Sequence, residues 1–179
     1  APPEIYTLSL HDALPISVSE RVFGNREFIK TTFDALQLLD PELRRFTFEL
    51  PEQAVTRNLG RAMTKMQKLS AFGIHFTLET NGIPVIPVKE LTELPISYWI
   101  VKGISVPEDE DSEEDHILSV IVQTAHLFGA KLIVTGVNTR EQEEIAEELG
   151  LDIAQGTLYG EAMGAELVGH MIMATRSES

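Results

Sequence analysis

From residue 26 onward the chain alternates between short apolar runs of period two and longer amphipathic stretches. Residues 26–39 place Ile29, Phe33 and Leu36 on one helical face. RFTFEL (45–50) alternates as a strand does. Residues 52–72 form the strongest helical pattern: Val55, Leu59, Ala62, Met63, Met66 and Leu69 make an apolar stripe, with Arg57, Arg61, Lys65 and Lys68 mostly on other faces. IHFTLE (74–79) and YWIV (98–101) read as strands, 115–128 as a helix, and KLIVTG (131–136) as a strand. Residues 140–149 read as a helix, DIAQG (152–156) as a strand, and 164–172 as a last helix. Gly73, Gly129 and Gly150 follow the helical patterns as C-terminal stops. Strands alternating with helices through short connections predict parallel βαβ units, in a barrel or a doubly wound sheet.

Composition narrows the classes. At 179 residues with 43% hydrophobic residues, the chain suits one domain with a real core. The net charge of −14 argues against a sequence-independent grip on nucleic acid, which needs clustered Lys and Arg. No run reaches the roughly 18 apolar residues of a membrane span. The absence of cysteine removes thiolate chemistry and suits a cytoplasmic protein.

Isolated chemical signals are weak. The run PEDEDSEED (107–115) holds seven carboxylates, but lacks the central Gly and placed Glu of a calcium loop. It reads as a solvated lead into the next helix. His11, His75, His116, His126 and His170 show no metal-ligand spacing. Thr139-x-x-Gln142 reads as a helix capping box, and Trp99 and the methionines as core.

Four segments in register resemble the EAL family, which in its active form hydrolyses cyclic di-GMP. RFTFELPE (45–52) is similar to the family strand ending Leu-Glu-Ile-Thr-Glu, and GIHFTLETNG (73–82) to the stretch ending Leu-Asp-Asp-Phe-Gly. LIVTGVNTREQ (132–142) is similar to Ala-Glu-Gly-Val-Glu-Thr followed by Gln, and AQGTLYGEAM (154–163) to the Gln-Gly-Tyr-Leu-Phe ending. The resemblance implies a TIM-like (β/α)8 barrel with its site at the C-terminal strand ends. Such barrels take about 250 residues, so about the last five to six strand–helix units are expected here. SVSERVF (17–23) looks like the family's Val-Asn-Leu-Ser stretch, with Ser17 where Asn is usual.

The family's chemistry uses two divalent cations, Mg or Mn, held by carboxylates about 4 Å apart. Carried over residue by residue, the resemblance keeps Glu49 at a metal-ligand position and places Glu79 where the first of two Asp residues stands. Thr80 replaces the second, metal-bridging Asp. Lys102 replaces the Asp of the Lys-Ile-Asp strand, and Ile100 its Lys. Thr135 and Asn138 replace two Glu residues, while Gln155 and Gly156 remain. The resemblance therefore implies a degenerate domain without catalysis or a required metal. Vestigial ligand positions are Glu49, Glu79, Lys102, Gln155 and Gly156, with Glu49 and Glu79 the vestigial metal positions. Two readings of Lys102 stand side by side. Either its ammonium meets a phosphate of cyclic di-GMP, or it lies at the barrel rim, paired with Glu79 or Glu49.

The expected role is an effector or interaction module in bacterial cyclic di-GMP signalling. Its partners would be another protein or signalling domain, cyclic di-GMP or a second copy, with no nucleic acid and no membrane. The alternative is a cyclic di-GMP phosphodiesterase completed by further chain. Finally, EIYTLSLHDALPI (4–16) resembles the in-frame translation of a short-read sequencing adapter. Residues 1–16 are thus expected to be a non-native leader, His11 and Asp12 included, and 17–179 the C-terminal part of the domain.

Overall fold

The computed structural model describes residues 14–38, 46–108 and 112–160. Its elements run β1 (Leu14–Ser17), α1 (Glu20–Gly24), α2 (Phe28–Gln37), β2 (Phe46–Pro51), α3 (Glu52–Thr56), α4 (Leu59–Ser70) and β3 (His75–Thr80). They continue with α5 (Val88–Glu93), β4 (Tyr98–Val101), α6 (Glu113–Leu127), β5 (Lys131–Thr135), α7 (Arg140–Glu148) and β6 (Ile153–Gln155). The six strands lie side by side in sequence order, and each neighbouring pair is parallel. Helices fill the connections. Among the described residues β6 does not pair back onto β1, so the sheet is an unclosed part of a (β/α) barrel.

Strand alternation sorts side chains onto two faces. Phe48, Leu50, Phe76 and Leu78 bury against the helices near the start of the sheet. Trp99, Val101, Leu132, Val134 and Ala154 do so near its end, beneath α6 and α7. The opposite, inner face carries a separate small cluster of Ile100, Ile133 and Ile153, flanked by Tyr98. Glu49, Glu79 and Thr135 fall on this inner face by the same alternation.

Several expected elements shift. The long helix expected over 52–72 is two helices, because Asn58 leaves helical geometry (φ −152°, ψ 81°) and its side chain accepts from Arg61 N to start α4. Lys65, expected away from the stripe, is buried. The helix expected over 26–39 shortens to α2, and the short helices α1 and α5 were not expected. Ser112 caps α6, with Glu113, Glu114 and Asp115 in its first turn, as the acidic lead-in suggested. Gly73, Gly129 and Gly150 all carry positive φ (84°, 73°, 73°), which fits their expected role. The helix expected over 164–172, His170 and the His11–Asp12 pair lie outside the described residues.

Candidate functional site

The C-terminal ends of the parallel strands form one rim, and the polar residues singled out above gather there by register. Ser17 ends β1 opposite Glu49, and its hydroxyl donates to Glu49 Oε2 at 2.8 Å. Glu49 in turn lies opposite Thr77, two residue pairs below the Pro51–Glu79 pairing. The two carboxylates thus sit on neighbouring strands at different heights.

Glu79 has a different partner. Lys102 follows β4, its backbone N–H donating to the Thr80 carbonyl at 2.8 Å and so extending the ladder. Its ammonium lies 3.7 Å from Glu79 Oε2, with both side chains partly open to solvent. In that setting the ion pair adds little stability. It does neutralise the carboxylate at the rim and leaves ammonium donors for an incoming anion.

Thr80 does not join them. Alternation sends it to the helix side, where it is buried. Its hydroxyl accepts from the Trp99 indole N–H at 2.7 Å and donates to the Gly82 carbonyl at 2.5 Å. The Thr80 hydroxyl therefore secures the loop after β3 and the Trp99 ring.

On the far side of the rim, Thr135 pairs with Gln155. The Gln155 carbonyl accepts from Gly136 N at 2.7 Å and Val137 N at 3.1 Å, while its side chain is exposed. Asn138 accepts from Thr157 N and Oγ1 at 3.2 and 2.8 Å, tying the β5 loop to the β6 loop. Gly156 has a packing reason: a Cβ there would stand 1.8 Å from the Val137 carbonyl oxygen. Among the described residues, no three His, Asp or Glu side chains gather as a metal-holding group.

Some contributors had little or no signal in the sequence. Ser17 reaches Glu49 only because β1 pairs in this register. Glu52 Oε1 accepts from Val85 N at 2.5 Å, pinning the β3–α5 loop over the start of α3. Gln142 completes the expected capping box and also donates to the Val106 carbonyl at 2.9 Å. The box was legible in Thr139-x-x-Gln142, whereas the reach to Val106 needs the fold.

The family model of the EAL domain matches residues 7–162, a stretch that takes in part of the 1–16 segment. The bifunctional diguanylate cyclase/cyclic di-GMP phosphodiesterase MucR of Pseudomonas aeruginosa is 26% identical over 154 residues, 86% of this chain and 22% of that protein. The cyclic di-GMP phosphodiesterase PdeL of Escherichia coli is 24% identical over 160 residues, 88% of this chain and 44% of that protein. The chain therefore spans less than half the length of either relative. Among solved structures, the PaMucR phosphodiesterase in complex with c-di-GMP aligns with a TM-score of 0.78 at 25% identity. That alignment covers 87% of this chain and 70% of that one. The FimX EAL domain of Pseudomonas aeruginosa bound to c-di-GMP shares the fold, with a TM-score of 0.71 at 20% identity over 82% of this chain and 60% of that one. The incomplete parallel barrel and the family match lead to one conclusion: the chain belongs to the EAL domain family.

Proposed function

We propose that this chain is a non-catalytic EAL signalling domain, acting in the cytoplasm as an effector or protein-interaction module of bacterial cyclic di-GMP signalling. The observation that carries the reading is the Lys102 ammonium, 3.7 Å from Glu79 at the rim, where the family resemblance puts a carboxylate. Two divalent cations need several converging carboxylates. Here Glu49 is held by Ser17, Glu79 by Lys102, and Thr80 is turned into the helix layer. That donor set does not fit a two-metal centre, and the domain works without Mg or Mn.

Binding survives the loss of chemistry in this reading. Lys102 meets a phosphate of cyclic di-GMP as a point charge, and the exposed Gln155 side chain offers hydrogen bonds to the same ligand. The cyclic di-GMP complexes among the structural neighbours support cyclic di-GMP as the ligand. Exposed Ile83, Val85, Ile117 and Val120 support a protein partner or a second copy docking beside the β3–α5 loop and α6.

Calorimetry and chromatography of the chain with cyclic di-GMP, with and without Mg, test this. The expected result is binding that does not depend on Mg, weakened about tenfold in Lys102→Ala, with no linear dinucleotide formed. Metal-dependent production of the linear dinucleotide would overturn the reading in favour of a phosphodiesterase. Absence of binding would retain only the protein-interaction role.

A further inference from the structure

Outside the barrel, the short helix α1 and the paired helices α3 and α4 border an open cavity of about 630 Å³. Its wall is unlike the rest of this chain. Arg21, Arg57, Arg61 and Lys65 line it, with Glu20 as the one carboxylate among the described residues. Four of the 14 basic residues of a chain with net charge −14 thus converge on one concavity.

Lys65 forms the floor. It is 6% exposed, and its Nζ donates to the Phe23 carbonyl at 2.5 Å and the Asn25 carbonyl at 2.7 Å. The ammonium also lies 5.3 Å from the Phe23 ring centroid and 5.9 Å from that of Phe28. An ammonium has three donors, so two carbonyls leave one over. Burial first, and the neighbouring Arg61 charge second, hold its pKa below the ordinary lysine value. An anion placed between Lys65 and Arg61 would offset the repulsion between the two cations.

The guanidinium groups complete the wall. Arg57 is held by an ion pair with Glu20, a carboxylate occupying one cation of the cluster. Among the described residues, neither Arg21 nor Arg61 has an ion-pair partner. Planar guanidinium forks match phosphate oxygens two at a time, and the volume is that of a small-molecule site rather than a peptide groove.

We propose that this cavity binds a phosphate-bearing small molecule, at a site separate from the barrel rim, with Arg21, Arg57 and Arg61 gripping the phosphate above Lys65. The arriving phosphate takes the place of the Glu20 carboxylate on Arg57, exchanging one anionic acceptor for another. The site does not depend on the proposed rim function, since it shares no residue with Glu49, Glu79, Lys102 or Gln155.

Titration calorimetry with pyrophosphate at fixed ionic strength tests it, using the whole chain. One pyrophosphate is expected to bind per chain, about tenfold or more weakly in Arg61→Gln. Lys68→Gln, the same charge change on an exposed residue of α4 outside the cavity, should leave affinity within about twofold. Lys102→Ala should do the same. Arg57 and Arg61 are exposed, so their replacement leaves the core intact, and a circular dichroism melt of each variant checks this. Equal weakening by Arg61→Gln and Lys68→Gln would mean diffuse attraction and overturn the proposal. Loss of binding in Lys102→Ala alone would move the site to the rim. Tighter binding of an oligoglutamate peptide than of pyrophosphate, or no binding at millimolar pyrophosphate, would also sink it.

Discussion

A Cβ on Gly156 would overlap the backbone of Val137, and backbone cannot step aside as a flexible side chain can. Gly156→Ala is expected to cost roughly 3 kcal/mol or more in urea unfolding. Gly60, early in α4, has open space around its Cβ position, so Gly60→Ala should stabilise by up to about 1 kcal/mol. Tyr159 gives the pH counterpart. Burial first, then the Glu143 charge, push its phenol up to about 12. Among the described residues no partner meets hydrogen-bond geometry at the hydroxyl, so Glu143 acts on it mainly through its charge. A folded pKa above the unfolded value of about 10 means that the stabilisation is full below pH 10 and is lost between pH 10 and about 12. Tyr159→Phe should flatten unfolding free energy against pH across that window. At this scale, the sequence resemblance located Gly156 and Lys102 but not what they do. Gly156 answers to a carbonyl on another loop. Thr80 looked like a site position, yet the strand pleat turns it toward Trp99, and only the register fixes that.

Among the elements, α7 shows how a local signal acquires a distant task. Thr139 and Gln142 cap its start as their spacing predicts, but Gln142 is also buried and holds the Val106 carbonyl of the β4–α6 connection. Its Oε1 accepts from Asn138 N at 2.8 Å and Thr139 N at 3.3 Å. Gln142→Leu strands one carbonyl and two N–H groups, with an expected loss of about 2–3 kcal/mol. Thr139→Ala, which removes only the cap hydroxyl, should cost about 1 kcal/mol in the same denaturant titrations. Equal losses would show that the Val106 contact contributes nothing. Strands and long helices were legible because period and burial agree, as in YWIV at β4 and the stripe on α4. The break between α3 and α4 was not, because Arg57 and Asn58 continue an amphipathic pattern while the Asn58 side chain favours a new start. The helix α1 was missed for another reason. Five residues cannot hold a helix by propensity, so its signal lies in what packs against it.

For the molecule as a whole, the parallel order of six strands follows from the alternation of patterns along the chain, and the sequence resemblance carried the barrel type. What neither conveyed is how charge is distributed. A chain with twice as many acids as bases keeps a buried lysine against its first helix and a ring of arginines beside it. That lysine also bears on the order in which the chain assembles. Lys65 grips the end of α1 from 42 residues away, and α1 is too short to persist unaided. Its helical structure therefore waits for α4 to form and dock, and opens before the central strands do. In native-state hydrogen exchange, the Phe23 amide, bonded to the Ser19 carbonyl, should exchange well before Phe76 in β3. Protection of Phe23 equal to that of Phe76 would mean that α1 and the central sheet open as one unit.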